Sequence, residues 1–392
     1  MSPLFESLAV GNVKLNHRIA LAPLTRFRAD KHHNPGDLQV EYYRQRASVP
    51  GTLLITEGTL PTAYAGGVAN VPGIWSAAQI EGWKRVTTAV HGNKSHIYLQ
   101  VWAAGRAATA ALLEADGVSS GVVAPSAIPI AAGSITPRAL SEAEIQQYVT
   151  DFAVAAENAI AAGFDGVEIH ALNGYLLDSF IQTNSNARTD RYGGSIENRA
   201  RFPLEVVRAV VDAIGAKRTA VRFSPWSEFQ GMRMPDPIPQ FSYLLEQVRP
   251  LGLSYLSIVE PRFNGAVDAT IGPQNENDSN AFALRIWGRA SPIIVSGGFS
   301  PKMALEMAHK HADLDIIVAF GRHFLSNPDL PFRIMRELPL NKHDRDTFYA
   351  VEQARGYTDY PFSDEWKHLV DHDGDPVENM ESSALDQVEV RQ

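Results

Sequence analysis

The sequence has no cysteine. That excludes disulfide cross-links, thiolate metal centres and a cysteine nucleophile, and leaves the redox compartment unspecified. It has no apolar run approaching the roughly 18 residues of a membrane helix, so no span is expected. The opening residues, MSPLFESLAVGNVKL, lack a basic region followed by an apolar stretch, so no secretory leader is expected there. No G-x-G-x-x-G fingerprint, P-loop or internal repeat is visible. Excess charge is also scarce. Of the net charge of −9, the segment Ser363–Gln392 supplies −7 through nine acidic and two basic residues, and the body is close to neutral. No basic patch argues for nucleic acid. The segment 363–392 reads as a solvated acidic tail.

What is present is alternation. Short β-branched runs, RIALAP, TLLITEG, HIYLQVW, FDGVEIHA, TAVRFSP, LSYLSIVEP, PIIVSGG and DIIVAFGR, are separated by amphipathic segments. Helices are expected to start after Ser76, after Ser141 with Glu144 three residues on, after Ser195, and after Ser300 with Pro301 at the first position. Gly163 and Gly215 close two of them. Near-continuous apolar strands suit a parallel sheet covered on both faces. The fold class is therefore α/β, as a single (β/α)8 barrel over residues 1–362 followed by the tail 363–392. A doubly wound sheet is the alternative, but the first strand runs into APLTRFR where that fold usually carries glycines. The stretch Gly105–Arg138 is too long for a plain connection and reads as a lid or excursion on the active face.

In such a barrel the chemistry gathers at the C-terminal strand ends. The fourth strand ends in VEIHALNGYLLDSF. Taken singly, His170 reads as a satisfied structural histidine, Asn173-Gly174 as a turn and Tyr175 as packing. Together they give two N–H donors that could polarise a carbonyl oxygen and a phenol that could protonate a nearby carbon. At the other strand ends, Gln100 offers an amide to an imide edge and Arg222 offers positive charge. Gly297, Gly298, Gly321 and Arg322 form the phosphate cradle usual after the last two strands. Phosphate, imide and a place for negative charge together describe flavin mononucleotide (FMN).

These residues carry a resemblance. LAPLTR, ITEGT, PGIWS, LQVWAAGRAA, AGFDGVEIHALNGYLLDSFI, NARTDRYGGSIENRARFPLEV, RFSP, VEPR, FGRHFLSNPDLP, RDTFY and GYTDYP resemble the Old Yellow Enzyme family of flavin-dependent ene-reductases, from about Leu4 to Tyr360. The resemblance implies FMN as cofactor, with Pro23, Leu24 and Gly58 against the flavin ring, Thr25 near its carbonyl oxygen and Gln100 at its pyrimidine edge. It implies Arg222 beside the reduced ring and Gly297, Gly298, Gly321 and Arg322 at the phosphate. It implies a ping-pong cycle in which NADPH, or NADH, reduces the flavin and an α,β-unsaturated carbonyl compound then replaces it. His170 and Asn173 would hold the substrate oxygen, Tyr175 would donate the proton, and Trp102 and Tyr357 would line the substrate pocket. The family often has an aromatic residue where this chain has Val68, and the 262–280 loop looks individual. Both bear on substrate range.

Rival readings are a barrel glycosidase using Glu168 and Glu260 as paired carboxylates, a specialised biosynthetic reductase or redox-neutral isomerase of the same family, and a non-catalytic flavin binder. The histidines of KHHN and AHKHAD read as surface residues, with no metal implied. The expected protein is cytoplasmic, a monomer or homodimer, with a small-molecule enone or enal as partner and neither nucleic acid nor membrane.

Overall fold

The structure is a computed structural model, which describes residues 2–262 and 277–372. Most of the 262–280 loop and the tail from residue 373 lie outside those residues. An antiparallel hairpin, β1 (Leu8–Val10) and β2 (Val13–Leu15), comes first. Then follow β3 (Ile19–Leu21), β4 (Leu53–Ile55) and β5 (His96–Val101), a small pair β6 (Val123–Ala124) and β7 (Arg138–Ala139), and β8 (Gly166–Ala171), β9 (Thr219–Phe223), β10 (Tyr255–Val259), β11 (Ile293–Ser296) and β12 (Ile316–Phe320). The eight strands β3, β4, β5, β8, β9, β10, β11 and β12 pair in parallel in that order, and β12 returns to β3 to close a barrel. They are the eight apolar runs read from the sequence.

The helices are α1 (Asp37–Arg46), α2 (Ala77–Gly92), α3 (Ala110–Ala115), α4 (Glu142–Ala161), α5 (Leu176–Ile181), α6 (Ile196–Ile214), α7 (Ile238–Val248), α8 (Ala281–Trp287), α9 (Pro301–Lys310), α10 (Arg322–Ser326), α11 (Leu330–Met335) and α12 (Asp364–His372). The expected caps form: Ser76, Ser141, Ser195 and Ser300 each accept a backbone N–H from the third residue of their helix. Helix α6 runs through the buried Pro203.

Two apolar layers hold the barrel. One lies between strands and helices and includes Val86, Phe152, Val207 and Leu244. The other fills the interior, where Ala20, Leu53, Ile55, Tyr98, Ala220, Tyr255 and Ile294 meet Val10 and Leu15 of the hairpin. The hairpin therefore plugs the barrel. Its turn needs Gly11: φ is +57°, and a Cβ there would lie 2.0 Å from the Lys217 carbonyl oxygen.

The chain after α11 returns to the other end of the barrel, its C-terminal mouth. Arg26 donates to the carbonyls of Phe348 (3.0 Å) and Gly356 (2.7 Å). Arg28 donates to those of Thr347 (2.9 Å), Phe348 (2.9 Å) and Gln353 (3.0 Å). Both guanidiniums are buried, a costly state that the carbonyl acceptors offset. The boundary expected at 362/363 needs correction. Residues 364–372 form α12, and Trp366 is buried against Phe332 and Val49. An indole and the nearby Leu369 give this acidic segment an apolar face to dock. The pair KHHN also divides. His32 is exposed, but His33 is buried, with its ring against the Val71 carbonyl (2.6 Å) and Asp116 (3.3 Å).

Candidate active site

A cavity of about 1170 Å³ opens at the C-terminal ends of the barrel strands. That exceeds the roughly 300–1,000 Å³ usual for one ligand. Pro23, Leu24 and Thr25 reach it from the end of β3 and Gly58 from β4. Gln100 lies on β5 with Trp102 just after it, and His170 lies on β8. Arg222 comes from β9, Gly297 and Gly298 follow β11, and Gly321 and Arg322 follow β12. Asn173 and Tyr175 line it from the turn between β8 and α5. Every residue expected at the site from the sequence is therefore present, with one exception. Tyr357 is fully buried behind the wall, its ring stacked on Tyr42 at 4.1 Å and its face under Arg28. The tyrosine that reaches the cavity from this part of the chain is Tyr349, beside Phe348, both from the RDTFY motif. It pairs with Phe27 across the rim at 5.4 Å.

The turn after β8 is tightly specified. Asn173 and Gly174 both have positive φ, +54° and +74°. The Asn173 N–H donates to Ser224 Oγ (2.9 Å) and the Gly174 N–H to Asp178 Oδ2 (2.8 Å). This holds Tyr175 at the start of α5, edge-on to Trp102 (4.9 Å) and His170 (5.2 Å). Burial, helped by the charge on Arg222, pushes His170 down to about 3. Its imidazole is thus neutral at ordinary pH, with one N–H to donate. Burial raises the Tyr175 phenol, and Gln230 beside it pulls the other way. The phenol therefore keeps its proton through the neutral range. His170 Nδ1 and Asn173 Oδ1 are buried with no hydrogen-bond partner in the protein, a state that calls for a reason.

The floor is polar and buried. Gln100 Nε2 donates to Glu168 Oε1 at 2.6 Å, and Arg222 Nη2 donates to Ser296 Oγ at 2.8 Å. Arg222 Nε is buried without a protein partner. Gly297 and Gly298, at φ +122° and +67°, turn the backbone in a way that side chains resist. An amide, a guanidinium, a glycine turn and Arg322 thus lie around one space. They can take a planar group with an imide edge, accommodate negative charge on it, and hold an anionic tail.

The walls hold residues that the sequence reading missed. Phe27, Leu112, Ile130, Phe229, Gln230, Phe348 and Tyr349 line the cavity beside Val68. Leu112 and Ile130 come from the long excursion after β5, which does reach the active face. Gln230, at φ +60° and ψ +37°, breaks the backbone preference of a non-glycine residue, and no sequence signal announces that. The glycosidase pair is not assembled. Glu168 lies beneath the floor. Glu260 accepts from Asn280 Nδ2 (3.1 Å) and pairs with Arg262 (3.8 Å), and neither carboxylate lines the cavity.

The family model described as NADH:flavin oxidoreductase / NADH oxidase matches residues 3–341. A chanoclavine-I aldehyde reductase of Penicillium roqueforti is 53% identical over 372 residues, covering 95% of this chain and 99% of the relative. A probable inactive reductase of Epichloe festucae var. lolii is 47% identical over 369 residues, covering 93% and 96%. The crystal structure of Old Yellow Enzyme from a Pichia species superposes with a TM-score of 0.85 at 39% identity, covering 93% of this chain and 94% of that one.

Proposed function

The chain belongs to the NADH:flavin oxidoreductase / NADH oxidase family and is an oxidoreductase, and from that premise we propose that it is an FMN-dependent ene-reductase. It takes reducing equivalents from NADPH or NADH and acts on a small α,β-unsaturated aldehyde or ketone. The carrying observation is that His170, Asn173 and Tyr175 share one cavity with Gln100 and Arg222.

The residues fit the cofactor. Arg222 Nε, buried and without a protein partner, is the kind of orphan donor that a bound anionic ring would satisfy. Gln100 would meet the pyrimidine edge, Thr25 the neighbouring carbonyl, and Pro23, Leu24 and Gly58 the ring faces. Gly297, Gly298, Gly321 and Arg322 would hold the phosphate. When bound, the flavin accepts hydride from the nicotinamide and returns it to the β-carbon of the activated alkene.

The chain's own contribution is to make the substrate a better hydride acceptor. His170 and Asn173 donate to the carbonyl oxygen and lower the cost of the negative charge that gathers there. A neutral His170 suits this, since it donates without becoming the acid. Tyr175 gives its proton to the α-carbon. The aromatic and aliphatic walls exclude water and leave room for a bulky apolar substituent, with Val68 where the family often has a larger side chain.

A redox-neutral isomerase would return the hydride to its substrate and need no stoichiometric proton donor. The intact Tyr175 favours net reduction. The same intact set argues against a non-catalytic binder, despite the relative described as inactive. Two measurements test the proposal: the visible spectrum of the purified protein, and NADPH consumed per enal reduced. A colourless protein that gains no flavin on reconstitution would refute it. Turnover with only catalytic NADPH would favour the isomerase.

A further inference from the structure

Glu168 is fully buried under the cavity floor, and the chemistry proposed above gives it no task. We propose that Glu168 is a positioning residue, one that fixes the Gln100 side chain with its amide oxygen and one N–H turned to the cavity, the orientation that reads an imide edge. This rests on the flavin reading above.

The geometry begins in the strands. Gln100 on β5 and Glu168 on β8 are register partners. Between them runs the 2.6 Å bond from Gln100 Nε2 to Glu168 Oε1. A carboxamide presents two nearly isosteric ends and can exchange them by a half-turn. A carboxyl oxygen that carries no proton accepts only. In the exchanged state two acceptor oxygens would face each other at that distance, so one orientation survives. Gln100 is then left with an oxygen that accepts and a second N–H that donates. That pair complements the N–H and C=O of an imide. Without Glu168 the amide could turn, and its face to the cavity would lose the matching order.

Burial is the largest influence on the Glu168 carboxyl and raises its pKa, while Arg222 on β9 and the Gln100 amide pull it down. The Tyr255 and Ser257 hydroxyls favour the charged form from β10 without reaching ordinary hydrogen-bond contact with its second oxygen. Removing the acceptor therefore frees Gln100, and shortening the side chain withdraws the acceptor.

The test is FMN titration of the apoprotein, read by flavin fluorescence quenching and by the absorption spectrum of the complex. E168Q sets a second carboxamide at the same reach, and since that amide can present either end to Gln100 it should weaken FMN binding by about threefold or more, at least about 0.7 kcal/mol. E168L and E168D should each weaken binding by about tenfold or more, the worth of a buried hydrogen bond, with a shifted flavin spectrum. If one variant is unfolded, the other two still decide. Wild-type affinity and spectrum in both E168L and E168D would overturn the proposal. So would E168D binding as tightly as wild type, because the acceptor's position would then not matter. Wild-type protein that binds no FMN would instead remove the reading of the cavity itself.

Discussion

Tyr175→Phe deletes one oxygen and leaves a ring that can keep its edge contacts with Trp102 and His170. The substitution is therefore expected to change stability by no more than about 0.5 kcal/mol. Its chemical effect is larger. The phenol is held above its ordinary pKa by burial, so it is a weak acid. A weak acid matters only where the accepting carbon is strongly basic. Losing it should slow the oxidative half-reaction with an unsaturated aldehyde by about 10²–10⁴-fold, the usual range for a general acid. That corresponds to about 2.7–5.4 kcal/mol at about 1.36 kcal/mol per tenfold. Flavin reduction by the nicotinamide needs no carbon protonation and should proceed at nearly the wild-type rate. A nitroalkene forms a stabilised anion that water can protonate later, so it should still be reduced. Stopped-flow spectroscopy resolves each half-reaction by flavin absorbance. If Tyr175→Phe slows flavin reduction as much as enal reduction, Tyr175 is structural and the acid lies elsewhere.

Replacing His170 and Asn173 together by Ala should weaken phenol binding and slow enal reduction by at least about 10²-fold, since one oxyanion donor is commonly worth 10²–10³; unchanged phenol affinity would disprove the clamp. His170 falls from an ordinary 6.5 to about 3 on folding. Below pH 6.5 the unfolded chain then binds a proton that the folded chain refuses, so stability drops as pH falls. At pH 5 this one residue should cost about 2 kcal/mol relative to neutral pH. Urea midpoints of His170→Asn should accordingly fall less between pH 7.5 and 5 than those of wild type, with His17, also lowered, to about 4, retaining its own share of the slope. Trp366→Ala should undock α12, which hydrogen exchange would report as lost protection over residues 364–370 with the barrel strands still protected. Full protection of that helix in the variant would contradict the packing described for it.

The barrel was legible because its strands are buried on both faces and so write themselves as apolar runs, and because serine caps mark where helices begin. The meeting of His170, Asn173 and Tyr175 in one cavity was legible because three polar residues at the end of an apolar strand have few structural uses in common. The hairpin at residues 8–15 carries a two-residue Gly-Asn turn, a real signal, but its strands are three residues each and lie before the first barrel strand. The choice of Tyr357 over Tyr349 shows a different limit. Both tyrosines lie within quoted motifs a few residues apart in a segment with little regular structure, and only the path of the backbone over Arg26 and Arg28 turns one inward and leaves the other at the rim. Gln230 shows a third. Its position depends on a left-handed backbone, and a glutamine gives no warning of that. For α12, acidic composition masked a buried indole.

The guanidinium of Arg26 lies 322 residues from its acceptor at Phe348, and the barrel closes by pairing its first strand with its last. A ribosome delivers this chain from one end only. The early strands and their arginines emerge long before the carbonyls that will quiet their charge and before the glycines that complete the cavity wall. Assembly of the binding site is thus a late event in synthesis. Until the last wall arrives, the nascent chain presents an open sheet with two cations destined for burial.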